Sequence, residues 1–163
     1  MIDDMDHLVS SAVASVFGTM LNLPVDEESD SAPVVHSEAQ IAGSVGFIGV
    51  VTGVVFIYST VSFARNVTRR MLGSDTAVAA EEMVNDAFGE ITNMIVGHIK
   101  SRLGDRGMQC ILTIPSILRG SHFTIEPTSS TRRRISTFRC AGDTVVVEVL
   151  LKPSSSSQTA LAA

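Results

Sequence analysis

The amino-acid sequence predicts an α+β domain: a six-stranded antiparallel sheet with three helices packed on one face, in the order α-ββ-αα-ββββ. Three observations carry that prediction. Apolar residues recur with a 3.6-residue period over two stretches, 4–22 and 76–103. Strand-like runs come in groups, two before the long helix and four after it, and do not alternate one for one with helices as a parallel α/β fold requires. The uncharged stretch 39–64 is dominated by Val, Ile, Phe, Thr and Gly, and a Thr52-Gly53 turn signal splits it, as in a hairpin.

Each element follows from local chemistry. The first helix spans 4–22, with Met5, Leu8, Val9, Ala12, Val13, Val16 and Phe17 on one stripe, and Pro24 stops it. Residues 26–33 form an acidic exposed loop. Strands over 35–49 and 51–59 make the hairpin, and glycines at 43, 46, 49 and 53 mark bulges or close backbone approach. Thr60 or Ser62 caps a short helix that ends near Leu72, with Gly73 as its C′ residue. Ser74 or Asp75 opens the long helix, and Gly104 closes it. Strand candidates follow at 108–114, 120–126, 133–140 and 143–151, with a tight-turn signal at Gly142-Asp143. The apolar last strand, Val145–Leu151, reads as an edge that needs covering. Residues 1–152 make one domain, and the Ser-rich tail 153–163 reads as disordered. No internal sequence repeat is evident.

Composition excludes several functions. The formal net charge of −5 disfavours nucleic acid, whose phosphates call for a Lys/Arg surplus. The lone basic run, Arg132-Arg133-Arg134, reads as the polar start of a strand. Two cysteines, Cys110 and Cys140, are too few for a disulfide framework, and no Cys/His cluster has metal-ligand spacing. The acidic start, Met1-Ile-Asp-Asp-Met-Asp6, is unlike a signal peptide, so a reducing cytoplasm is expected. Residues 39–64 are long enough to span a bilayer, but the hairpin marks and the lack of an aromatic belt argue against a membrane span.

One constellation remains. Asp86, Glu90 and Asn93 stand at i, i+4 and i+7 in the long helix, so a carboxylate and a carboxamide project together from the side opposite the apolar stripe. Gly89 and Gly97 flank them. Glycine inside a helix costs about 1 kcal/mol relative to Ala, so two of them beside a polar trio point to something approaching this face closely. Asn93 is expected at the surface. His98 lies toward the apolar arc and reads as a core histidine.

The segment Asp86…Glu90…Asn93, with Pro115 following after 21 intervening residues, resembles the phosphatase motif of the CheC/CheX/FliY family of chemotaxis phosphatases. The spacing to Pro115 falls within one residue of the family's. The resemblance runs over roughly 5–152 and includes Val16-Phe17-Gly18-Thr19-Met20-Leu21, the 43–59 hairpin and Gly89–Gly97. The first helix lacks a Glu-x-x-Asn pair, which favours the CheX branch, with one site, over CheC members that carry two. The resemblance implies a CheC-like fold. Its implied substrate is the phosphoaspartate of a CheY-like receiver, with Asn93 orienting the attacking water and Glu90 pairing with the receiver's lysine. Asp86, Gly89, Gly97 and Pro115 would shape the contact surface. It implies no cofactor on this chain, any Mg²⁺ belonging to the receiver, and a homodimer associated through the sheet. The alternatives are a non-catalytic module that docks a receiver or a flagellar switch component, and a membrane-anchored protein using 39–64.

Overall fold

A computed structural model of the protein describes residues 4–29, 39–73, 80–121, 123–128 and 131–152. Ser74 and Asp75, the latter part of the acidic loop and the tail from 153 onward lie outside the described residues.

The first helix, α1, spans Met5–Val16 and continues into a π-helical turn, Phe17–Leu21. Asn22 then takes a left-handed conformation and closes it. The hairpin pairs β2 (Gln40–Gly49) with β3 (Gly53–Thr60) in antiparallel register, Gln40 against Thr60 and Phe47 against Gly53. The stretch long enough to cross a membrane is therefore two strands, and among the described residues no helix is long and apolar enough to cross one. Thr60 caps α2 (Val61–Leu72): its hydroxyl accepts the Phe63 N–H at 3.0 Å, which satisfies one of the helix's unpaired donors. Gly73, with φ 64°, ends α2 as predicted.

The long helix, α3, spans Glu81–Asp105. It starts later than the periodicity predicts, with Ala80 rather than Ser74 or Asp75 next to its first turn; Glu81 and Glu82 supply negative charge there. Four more strands follow: β4 (Cys110–Leu112), β5 (Ser116–Gly120), β6 (Arg132–Cys140) and β7 (Asp143–Leu151). The turn between β6 and β7 is centred on Ala141 and Gly142, both at positive φ, as a two-residue hairpin requires.

With a short first strand, β1 (Asp26–Glu28), the sheet order is β1-β6-β7-β3-β2-β4, and β5 continues the β4 edge alongside β2. All pairings are antiparallel, and the helices cover one face. Three details differ from the sequence reading. The acidic loop contributes a three-residue edge strand, β1 (Asp26–Glu28), whose Glu28 pairs with Arg139 of β6 at 2.8 Å. The strand expected at 120–126 is instead β5 at 116–120, because register with β2 places Ile117 opposite Gly43 and Leu118 opposite Ala42. Beyond Gly120 the chain leaves the edge, and Phe123 packs near Tyr58, ring centroids 6.4 Å apart. Finally, β7 is not an edge: it lies between β6 and β3. A strand buried on both faces reads as a continuous apolar run, which is why Val145–Leu151 looks as it does.

The core joins α1, α2 and α3 to the inward rows Ile41, Val45 and Phe47, Val55 and Ile57, and Val145, Val147 and Val149. On the opposite face, Glu148 is buried but paired: Tyr58 donates its hydroxyl to one carboxylate oxygen at 2.7 Å, and Arg133 forms an ion pair with the other at 2.5 Å. Burial foremost, then the bond to Glu148, pushes the Tyr58 phenol well above its ordinary range. Both cysteines are free and buried, and burial pushes the Cys140 thiol up.

Candidate functional site

Helix α3 lies antiparallel beside the β4–β5 edge, and three contacts along it fix the alignment. At its N-terminal end Glu81 pairs with Arg119 of β5, and also with Arg65 of α2 at 2.6 Å. One third of the way along, Gly89 faces Ile117: a Cβ on Gly89 would stand 3.8 Å from Ile117 Cδ1. At its C-terminal end the Gln109 amide donates to the Gly104 carbonyl at 3.4 Å. The link Thr113–Pro115 therefore flanks the middle of the helix, where Asn93 and Gly97 lie. Thr113 is fastened to β2 by its N–H on the Gly46 carbonyl and by the Gly46 N–H on its hydroxyl, both at 2.8 Å. Pro115 stands where the edge strand breaks, a position that needs no ladder donor.

Asp86 and Glu90 are exposed, and Asn93 and Gly97 are half-buried. Asn93 is thus more enclosed than expected, because the β4–β5 edge rises beside it. Among the described residues the side chains of Asp86, Glu90 and Asn93 have no hydrogen-bond or ion-pair partner. Gly89 is buried, yet a methyl group there would meet Ile117 only at ordinary van der Waals distance, and at Gly97 it would meet nothing within 4 Å. The fold itself requires neither glycine. His98 is half-buried rather than enclosed.

The site lies on helix α3, and none of its residues lines the groove that the structure shows elsewhere. That groove, of about 670 Å³, lies at the other end of the sheet, between Asp6, Glu27 and Glu28 on one side and Arg133 and Arg134 on the other. Small-molecule sites are concave and enclose most of their ligand. A helix that presents an exposed carboxylate beside a half-buried carboxamide, neither with a partner among the described residues, suits the opposite arrangement, in which the partner supplies the pocket. Among the described residues there is no group of three His, Cys, Asp or Glu side chains placed to hold a metal ion.

The family described as "Chemotaxis phosphatase CheX" matches residues 41–139, more than half of the sequence. The chain belongs to the CheX family. Solved CheX structures share its fold. A CheX from Desulfovibrio desulfuricans is 24% identical, with a TM-score of 0.78, and the match covers 91% of this chain and 99% of that one. A CheX from Vibrio vulnificus is 23% identical, with a TM-score of 0.77, covering 90% of this chain and 95% of that one. A Borrelia burgdorferi structure holding CheX together with CheY, BeF3 and Mg²⁺ is 18% identical, with a TM-score of 0.71, covering 90% of this chain and 97% of that one. No curated protein matches the chain.

Two features of the site escape a reading of motifs. Thr92, next to Asn93, is fully buried and faces Gly43 of β2; the glycine-rich hairpin hinted at such an approach without saying to what. Ile114 beside Pro115 is 85% exposed, an apolar projection at the rim of the site that no periodicity announces.

Proposed function

We propose that this CheX-family chain accelerates hydrolysis of the phosphoaspartate on a CheY-like receiver, with α3 as the element presented to the receiver's active site. The observation that carries the reading is Glu90 and Asn93 one turn apart on α3, without hydrogen-bond or ion-pair partners among the described residues, at the spacing of the family's phosphatase motif. The Borrelia CheX solved with CheY supports the choice of partner.

In the proposed reaction water attacks phosphorus, the bond from phosphorus to the receiver's aspartyl oxygen breaks, and inorganic phosphate and a free carboxylate result. The Asn93 carboxamide accepts a hydrogen bond from that water and turns a lone pair toward phosphorus. A neutral amide suits this role because it both donates and accepts without repelling the anionic phosphoryl group. Such catalysis is mainly positioning, as with the water-orienting glutamine of GTPases. Glu90 accepts from the receiver's lysine and anchors the helix. Asp86 extends the acidic contact surface, Gly97 lets the receiver backbone come close, and Pro115 shapes the neighbouring edge; Gly89, buried against Ile117, can act on the contact surface only from beneath. Mg²⁺ in this scheme belongs to the receiver and neutralises phosphoryl charge there.

The cytoplasm is the compartment that such a substrate implies. A homodimer is also proposed. With β7 central in the sheet, the support for it comes from the β4–β5 edge, where Ile111 and Leu118 are exposed, and light scattering after size exclusion tests it.

The phosphatase reading is tested by following the decay of a phosphorylated CheY-like receiver from the same genome with and without the protein, beside Glu90→Ala and Asn93→Ala. Faster decay that is lost in both folded variants supports it. Unchanged decay across several receivers, with the protein folded, would replace it with a docking role.

A further inference from the structure

The inward face of the sheet beneath α3 has an uneven row. Ile117 of β5, Gly43 of β2 and Ile57 of β3 stand abreast, so two isoleucines border a notch where Gly43 has no side chain. Thr92 drops into that notch. A Cβ on Gly43 would overlap Thr92 Oγ1 and stand 3.0 Å from Thr92 Cβ and 3.1 Å from its Cγ2. One turn earlier the shapes reverse: Ile117 rises beneath Gly89, where the helix has no side chain. A side chain fills a gap in the sheet at one point, and a side chain of the sheet meets a gap in the helix at the other. The Thr92 hydroxyl turns back to donate to the Phe88 carbonyl at 2.8 Å, so it needs no partner in the sheet.

We infer that Gly43 is a positioning residue for the α3 site, setting through Thr92 the height and rotation of the helix on the sheet. The inference rests on the phosphatase reading above. Thr92 and Gly89 immediately precede the two proposed working residues, Asn93 and Glu90. The Gly43–Thr92 interlock therefore bears directly on the angle at which the carboxamide and carboxylate emerge relative to the Pro115 edge, whereas Ile117 lies under Gly89 only at ordinary contact distance. A methyl group on Gly43 cannot be absorbed by a flexible side-chain end. Thr92 is β-branched, stiff at χ1 and fully buried, so the helix itself must lift or turn. Displacements of about 1 Å in a positioned catalytic group can cost on the order of 100-fold in rate.

The experiment compares wild type, Gly43→Ala, Thr92→Ala and the double variant Gly43→Ala/Thr92→Ala in the decay of a CheY-like receiver phosphorylated by a small-molecule phosphodonor. Rates are taken well below each variant's melting temperature and over a range of receiver concentrations. Gly43→Ala is expected to lower the turnover rate at saturating receiver at least tenfold. The double variant, in which the new methyl takes the space Thr92 vacates, is expected to return to within about threefold of wild type. A merely structural glycine would change the melting temperature without this rescue of turnover. A folded Gly43→Ala with wild-type turnover overturns the inference, as does a folded double variant that stays tenfold slow. Should Gly43→Ala not fold, Thr92→Ile, which enlarges the other half of the same contact, carries the same expectation. An inactive wild type would instead remove the phosphatase reading, and the inference with it.

Discussion

Helix α3 on the β4–β5 edge and helix α1 on the β1 edge are two versions of one arrangement. Reversing the strand order exchanges β1 with the β4–β5 edge, β6 with β2 and β7 with β3, so the sheet has an approximate twofold through its centre. The helices obey it. Met5, Leu8, Val9, Ala12, Val13 and Val16 are the buried residues of α1, and at the same spacing Phe88, Ile91, Thr92, Ile95, Val96 and Ile99 are buried in α3. On that alignment His7 corresponds to Glu90 and Ser10 to Asn93. The first pair is exposed on both helices and the second half-buried on both. What differs is how the polar residues are engaged. The Ser10 hydroxyl lies 2.7 Å from the Glu27 carboxylate of β1 and 2.8 Å from the Asp6 carbonyl of its own helix, and its one proton is shared between these two acceptors. Glu90 and Asn93 have no hydrogen-bond or ion-pair partner among the described residues. The comparison teaches that the scaffold supplies two placements, and that working chemistry requires side chains the scaffold does not itself consume.

The largest expected effect tests the scaffold half of that statement. Phe88 and Met5 occupy matched core positions, both about as buried as a side chain can be. Truncating Phe88 to alanine is expected to cost about 3–5 kcal/mol and truncating Met5 about 2–5 kcal/mol, values that rival a domain's whole stability. Urea unfolding measures both. A negligible cost at Met5 would show that α1 is loosely held and that the likeness of the two ends is only topological.

Next comes the chemical half. Asn93→Ala is expected to slow receiver dephosphorylation about 100-fold, or about 2.7 kcal/mol, with the melting temperature unchanged. Its counterpart Ser10→Ala is expected to leave the rate unchanged. Equal losses would mean that both ends work, and no loss in either would remove the proposed role of Asn93. Glu90→Ala is expected to act on association: losing a charge-assisted hydrogen bond worth about 1.5–3 kcal/mol raises the receiver concentration needed for half-maximal rate at least about tenfold. His7→Ala should not move it.

Much of this was open to reading in the sequence, and what was not has physical reasons. The 3.6-residue period located most of α3 and its apolar face, because burial against a sheet imposes that period wherever the helix lies, but it grouped Gly89 with the outward residues, and the structure buries Gly89 against Ile117. The Thr60 cap and the Gly73 stop are local chemistry and were equally legible. The sheet order was not, because an apolar run such as Val145–Leu151 is compatible with a covered edge or a central strand, and only pairing with both β3 and β6 decides between them. β1 was hidden for a related reason. Three acidic residues lack strand propensity and are held by β6 and by the ion pair to Arg139, as suits a short charged edge. The twofold left no repeat in the sequence because it constrains only which positions are buried. At the site, the spacing of Asp86, Glu90 and Asn93 was visible, whereas the Gly43 notch joins residues far apart in the chain and appears only when helix and sheet are placed together.

The smallest effect concerns how the helices are tethered at their starts. Glu81, in the first turn of α3, pairs with Arg65 and Arg119, and Asp4, just before α1, pairs with Arg106 at 2.7 Å. These look like matched clamps, but Glu81 is 59% and Asp4 58% exposed, so water and salt screen both. Exposed ion pairs contribute about 0.2–1 kcal/mol. Glu82 remains in the first turn of α3 to offset the loss of Glu81. Glu81→Ala and Asp4→Ala are each expected to lower stability by less than about 1 kcal/mol, with the difference vanishing at high salt. Neither should change the dephosphorylation rate, since the seating of α3 rests on Phe88, Ile91 and the Thr92 notch beneath it. A rate loss in Glu81→Ala with stability intact would shift the control of the site from the buried interlock to the exposed end of the helix.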